Sequence, residues 1–152
     1  GLDHANTIIA NAALRQVYKQ GLSAQGYSCH ATFGSLACRE AYRHGGQWLN
    51  ELLDYLKESF RMLEQRLQKD MPRIKLIQPE GLYLAWLDMR ELGLEEGGDS
   101  RFLQQKARLW FNDGSAFGDA GRGFARMNLA CPHAEVEEAL DRLSAAYKSE
   151  GF

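Results

Sequence analysis

The stretch "GRGFARMNLACPHAEVEEAL", Gly121 to Leu140, decides the fold, because it reads as a strand running into a helix with one residue out of place. Strand side chains alternate between two faces. Ala125, Met127, Leu129 and Cys131 make one apolar face, and Phe124, Arg126, Asn128 and Ala130 make the other. Arg126 and Asn128 therefore share a face that is neither plainly solvent nor plainly core. Two readings stay open here. Either this is an edge strand with one wet side, or the guanidinium sits on a rigid element to grip a carboxylate or phosphate, which its planar fork of donors suits.

Downstream, "HAEVEEALDRLSAAYK" puts Val136, Leu140, Leu143 and Tyr147 on one helical face, with acidic residues in the first turn and Lys148 at the end, as the helix dipole favours. Upstream, the pattern from Ile74 to Met89 has period two: "IKLIQ", a "PEG" turn at Pro79 to Gly81, then "LYLAWLDM". This predicts a hairpin. "SRFLQQKA" predicts a short helix capped by Asp99 or Ser100, and "RLWFN" a further extended segment. Gly118, Gly121 and Gly123 are spaced GxxGxG and precede a strand, where the dinucleotide-binding motif needs a helix; they read as a turn.

From Gln47 to Asp70, Leu49, Leu52, Leu53, Leu56, Phe60, Leu63 and Leu67 recur at i+3 and i+4 spacing, and Pro72 ends the run. Such a helix spans roughly 35 Å, about a domain diameter, so the domain boundary is placed on it. Before it lie a strand candidate, "NTIIAN" (Asn6 to Asn11), a helix stopping at Gly21, a polar loop, and a second helix from about Phe33 to His44. The expected class is α/β to α+β: residues 1–46 ordinary α/β material, 47–71 a connecting helix, and 72–152 a small α+β domain whose sheet is mostly antiparallel, with helices on one face.

Composition narrows function. The 152 residues are 45% hydrophobic, enough for a sizeable core, and the formal charge of −2 with scattered basic residues argues against nucleic acid and anionic membranes. No membrane-spanning run or signal-peptide pattern is present in the sequence, and the expected partners include neither membrane nor nucleic acid. Cys29, Cys38 and Cys131 follow no disulfide framework, which favours reduced thiols and a cytoplasmic setting. Cys29, His30, Cys131 and His133 form no metal-binding pair such as CxxC, so no metal is expected.

Four pieces in order, "PEGLYLAWLDMRELGL", "NDGSAFG", "GFARMNLACP" and "EEALDRL", resemble the C-terminal small domain of fold type I pyridoxal-phosphate enzymes, in the aminotransferase class I/II superfamily. The resemblance is nearest to the cystathionine beta-lyase-like branch of carbon-sulfur lyases. "AYRHGGQWLNELLDYL" resembles the start of that family's interdomain helix, and "GLDHANTIIAN" a large-domain strand just after the cofactor lysine. By this resemblance Arg126 binds the substrate's α-carboxylate and Gly81 and Tyr83 border the substrate, with Tyr83 as a packing aromatic the alternative; Asn128, on the same strand face as Arg126, either helps to hold the guanidinium or faces solvent. "NDGSAFG" departs from the family's usual proline-glycine, with Asp113 before Gly114. The resemblance further implies a homodimer in which Ser28, His30 and Thr32 reach toward the partner's cofactor site.

The family's cofactor lysine has no counterpart. Lys19, Lys57, Lys69, Lys75, Lys106 and Lys148 all lack its serine-rich, asparagine-containing context. The expectation is a C-terminal part of an enzyme that uses pyridoxal 5'-phosphate and acts on an amino acid, with the chain alone inactive and binding no cofactor. Lyase is the first reading. Aminotransferase, and a free-standing carboxylate-binding α+β module, are the alternatives.

Overall fold

A computed structural model of the chain describes residues 4–27 and 32–152. It divides into two compact units, Gly1–Glu51 and Leu52–Phe152. In the first, α1 (Ala12–Ala24) and α2 (Thr32–His44) precede the start of α3 (Gly46–Asp70). Asn11 caps α1, its Oδ1 accepting from the Leu14 amide at 3.1 Å. The expected strand over Asn6 to Asn11 does not form. The Arg15 guanidinium donates to the carbonyls of Ile9 (2.7 Å) and Ala10 (3.1 Å), and no described strand pairs with this segment. Nor does Gly21 stop α1; the helix runs three residues on and ends where Gly26 takes φ +65°, a conformation suited to glycine.

The second unit holds the core. Its sheet runs β1 (Lys75–Ile77), β2 (Leu84–Asp88), β4 (Phe124–Asn128), β3 (Asn112–Asp113) in spatial order, antiparallel throughout. The hairpin expected around "PEG" is the β1–β2 pair, with Leu76 opposite Leu87. Alternation does the sorting. Ala85 and Leu87 of β2 and Ala125 and Met127 of β4 are buried, and on their side pack Leu63 and Leu67 of α3 and Val136, Leu140, Leu143 and Tyr147 of α5 (His133–Ser149). Each fully buried aliphatic chain contributes about 1.5 to 3 kcal/mol relative to exposure.

Two local expectations are corrected. The segment expected as a helix over "SRFLQQKA" is a single α-turn, α4 (Gly98–Arg101), widening into a π-helical turn over Phe102–Lys106. Its N-cap is Gly97, so Asp99 and Ser100 lie inside the turn instead of capping it. "RLWFN" is extended only at its end, because Arg108 takes φ +54° and Leu109 turns into the core before β3 begins.

A candidate carboxylate-binding site on the open sheet face

Because directly paired residues of antiparallel strands point to the same side, the register Trp86↔Arg126↔Asn112 puts these three side chains in one row across β2, β4 and β3. This row lies on the sheet face away from the helices. Arg126 is half-buried there. Its Nε and Nη2 both donate to Asn112 Oδ1, at 3.3 and 3.0 Å. Its Cζ lies 4.5 Å from the centroid of the Phe117 ring, within cation–π range. Phe117 is edge-on to Trp86 at 5.7 Å, and Trp86 stacks on Phe124 at 5.5 Å, so an aromatic wall flanks the guanidinium.

The turn that carries Phe117 is built by Asp113. Its Oδ1 accepts from the Ser115 amide at 2.8 Å and its Oδ2 from Ser100 Oγ at 2.6 Å. These hydrogen bonds, Ser100's first, hold the Asp113 carboxyl below the usual carboxylate range. Gly114 and Gly121 allow the turn to close on the next one. A Cβ on Gly114 would lie 2.2 Å from the Gly121 carbonyl oxygen, and one on Gly121 would lie 2.0 Å from that of Gly114. The departure from proline-glycine is thus a well-bonded turn.

Among the described residues of this unit Arg73, Arg108 and Arg126 have no ion pair, and of the three only Arg126 is half-buried. Arg61, Arg90, Arg122 and Arg142 are each ion-paired, with Glu58, Asp88, Asp119 and Glu138 respectively. Among the described residues no carboxylate lies within ion-pairing distance of Arg126, and its partner is a neutral amide. A half-buried guanidinium that keeps its whole charge is suited to take an anion.

Other expected site residues fall around it unevenly. Asn128 shares the face, yet its Oδ1 accepts from the Ala130 amide at 2.8 Å, closing a turn at the end of β4 and making no bond to Arg126. Asn112, which sequence reading did not single out, has the hold instead. Tyr83 joins the sheet through its backbone, its carbonyl accepting from the Leu129 amide at 2.9 Å, and the residue is 42% exposed. Gly81 lies in the open bend before it, beside Leu82 at φ +65°. Thr32 is the first residue of α2, and Ser28 and His30 lie outside the described residues. Cys131, just past β4, is a half-buried thiol whose pKa burial pushes up, which suits packing more than nucleophilic attack. A cavity of about 650 Å³ elsewhere in the unit is lined by Met89, Leu94, Asp99, Asp113 and Arg122, and Arg126 is not part of it.

Comparison with known proteins places this architecture in a class. The solved structure of cystalysin from Treponema denticola, which contains a pyridoxal 5'-phosphate cofactor, superposes with a TM-score of 0.87 at 33% identity, covering 94% of this chain and 36% of that one. Aspartate aminotransferase of Pyrococcus horikoshii is 30% identical over 122 residues, 79% of this chain and 31% of that protein. The fold is that of pyridoxal-phosphate-dependent aminotransferases and lyases. Within the class the fuller match is to a lyase: cystathionine beta-lyase PatB of Bacillus subtilis is 30% identical over 146 residues, 96% of this chain and 38% of PatB. The chain is a homologue of the cystathionine beta-lyase-like proteins and, over less of its length, of aminotransferases. It spans well under half the length of these relatives, and no family model matches it.

Arg126 has the donors to pair with a carboxylate, and no lysine of the chain has a setting that fits covalent attachment of the cofactor. All six lysines are exposed, and Lys57, Lys75 and Lys106 are ion-paired with Asp54, Glu91 and Glu150. A lysine that bonds covalently to a cofactor aldehyde must be neutral when it attacks, which partial burial favours and a carboxylate partner opposes.

Proposed function

We propose that this chain is the C-terminal part of a pyridoxal-phosphate-dependent carbon-sulfur beta-lyase and supplies the group that binds the substrate's α-carboxylate. Arg126 is that group. The observation that carries the reading is its setting: a half-buried guanidinium on the open face of a rigid sheet, held by a neutral amide, in a chain homologous to such lyases. By the same reading residues 1–46 end the large cofactor domain, 47–71 join the domains, and 72–152 are the small domain. The apolar side chains exposed in the first unit, among them Ile8, Phe33, Tyr42 and Trp48 at 92, 74, 87 and 66%, are those that further large-domain structure covers. The cofactor-binding lysine and the rest of the cofactor's cradle then lie outside this sequence. Gly81 and Tyr83 border the substrate, and Ser28, His30 and Thr32 reach the partner's site in a cytoplasmic homodimer.

When bound, the cofactor acts as an electron sink for the bonds at Cα. What Arg126 does is fix the amino acid by its carboxylate, so that the Cα–H bond keeps one orientation through the reaction. Loss of that proton and cleavage of Cβ–S releases a thiol, and hydrolysis of the remaining 2-aminoacrylate gives pyruvate and ammonia. The matches to aminotransferases support a second reading, in which the amino group is transferred and a 2-oxoacid is the product.

The test is to give the full-length protein, purified with pyridoxal phosphate, a β-thioether amino acid. Thiol, pyruvate and ammonia in equal amounts, with no need for an amino acceptor, are expected. A 2-oxoacid that keeps its sulfur and forms only when an acceptor 2-oxoacid is added would replace lyase by aminotransferase.

A further inference from the structure

We propose that Asn112 and Phe117 are positioning residues that fix the docking mode of the ligand: they turn Arg126 so that a carboxylate meets it end-on, across Nη1 and Nη2. This rests on the carboxylate-binding reading of Arg126 and concerns how the group is aimed and charged.

A guanidinium has five N–H donors in one plane, and two parallel pairs can face a carboxylate: Nε with Nη2 along the side, or Nη1 with Nη2 across the end. Asn112 Oδ1 takes the side pair, at 3.3 and 3.0 Å. Phe117 covers one face of the plane. What remains is the end pair and the opposite face. The pairing of β3 with β4 sets Asn112 directly across from Arg126, within reach of the guanidinium from an exposed position, and the turn that Asp113 closes carries Phe117 to its place. The guanidinium is pre-set, so ordering it costs a ligand little.

The identity of residue 112 matters as much as its place. Aspartate there would hold the same two N–H groups and strengthen the hold, but it would place a negative charge against the cation that the ligand must find. Asparagine gives the orientation and leaves the charge free. Arg90 illustrates the other arrangement: Asp88 takes its Nε at 2.9 Å and its Nη2 at 2.7 Å with a carboxylate.

The experiment compares Asn112→Asp, Asn112→Ala, Phe117→Leu and Arg126→Ala in the full-length enzyme, measuring KM and kcat for the amino-acid substrate, the inhibition constant of propionate with propionamide as the uncharged control, and the melting temperature. Asn112→Asp should keep or raise the melting temperature while weakening propionate at least tenfold and raising KM similarly, with propionamide unmoved. Asn112→Ala and Phe117→Leu should each lower kcat/KM several-fold, through kcat as well as KM. A merely structural asparagine predicts the opposite for Asn112→Asp, with propionate binding unchanged because the hydrogen bonds survive. That outcome, alongside a large loss in Arg126→Ala, overturns the positioning role and leaves the carboxylate site standing. Unchanged propionate binding in Arg126→Ala overturns both. Should Asn112→Asp not fold, unchanged kinetics in Asn112→Ala and Phe117→Leu overturn the inference equally.

Discussion

Asp113 stands one residue from the guanidinium's partner and shapes the site by closing the turn beneath Phe117. Its carboxyl is held below the usual range by Ser100 and Ser115, so its contribution to stability is full above the unfolded carboxylate pKa, about 3.9, and is lost as pH falls through the lower folded value. Asp113→Asn keeps one acceptor oxygen and loses the charge and the acceptor for Ser100, so it should lower the melting temperature at pH 7 by the equivalent of about 1 kcal/mol, and the gap to wild type should close as pH is taken below about 4. Thermal melts between pH 2.5 and 7 check this, and a gap constant with pH would show that the ionised form is not what holds the turn. Asp88, held low by the hydrogen bonds and charge of Arg90, keeps some acid sensitivity in the variant. At this scale the sequence was legible where a residue broke its own pattern. Arg126 stands out because it interrupts an apolar alternation. Sharing a strand face does not say where a short amide bonds, and the Asn128 Oδ1 accepts from the Ala130 amide of its own turn. Asn112 left no local mark: its role exists only in the register that sets it across from Arg126, fourteen residues away in the chain.

Elements whose periodicity was strong formed as read, and those set by tertiary contacts did not. The hairpin, β4, α3 and α5 follow from period-two and 3.6-residue patterns. The Asn6 to Asn11 segment has strand-like composition and no described strand beside it, while β3 shrank because Leu109 was drawn inward. What joins α3 to the site's strand was also out of sight. Tyr55 of α3 stacks on His133 at 3.9 Å, donates its hydroxyl to the Cys131 carbonyl at 3.2 Å and accepts the His133 amide at 2.8 Å. The link thus spans the short connection from β4 to α5. Tyr55→Phe keeps the stack and removes both hydrogen bonds, so a cost of about 1 to 3 kcal/mol is expected. Faster hydrogen exchange at the His133 amide should accompany it. An unchanged melting curve together with unchanged exchange at that amide would show that the hydroxyl contributes nothing to the junction.

Across the whole molecule, core and site belong to the second unit, and the first buries little beyond Gly34 among its described residues. The family resemblance was legible because four separated motifs occur in the right order. The substrate side chain was not, because a carboxylate grip serves lyase and aminotransferase alike. Since every lysine of the chain is exposed, this chain mixed with pyridoxal phosphate should show no saturable, borohydride-trappable attachment to one particular lysine, and mass spectrometry after reduction checks this. The most direct test of the central claim is Arg126→Lys in the full-length enzyme, measuring kcat/KM on the amino acid and on its decarboxylated amine together with a melting curve. The ammonium keeps the charge and loses the fork, so a fall of roughly one to two powers of ten is expected for the amino acid, from the loss of a charged hydrogen bond. The amine should change little, and so should the melting temperature, because Arg126 faces away from the apolar row of Ala125 and Met127. Full activity in Arg126→Lys, or an equal loss on both compounds in step with a large drop in melting temperature, would contradict the account and make Arg126 a structural residue.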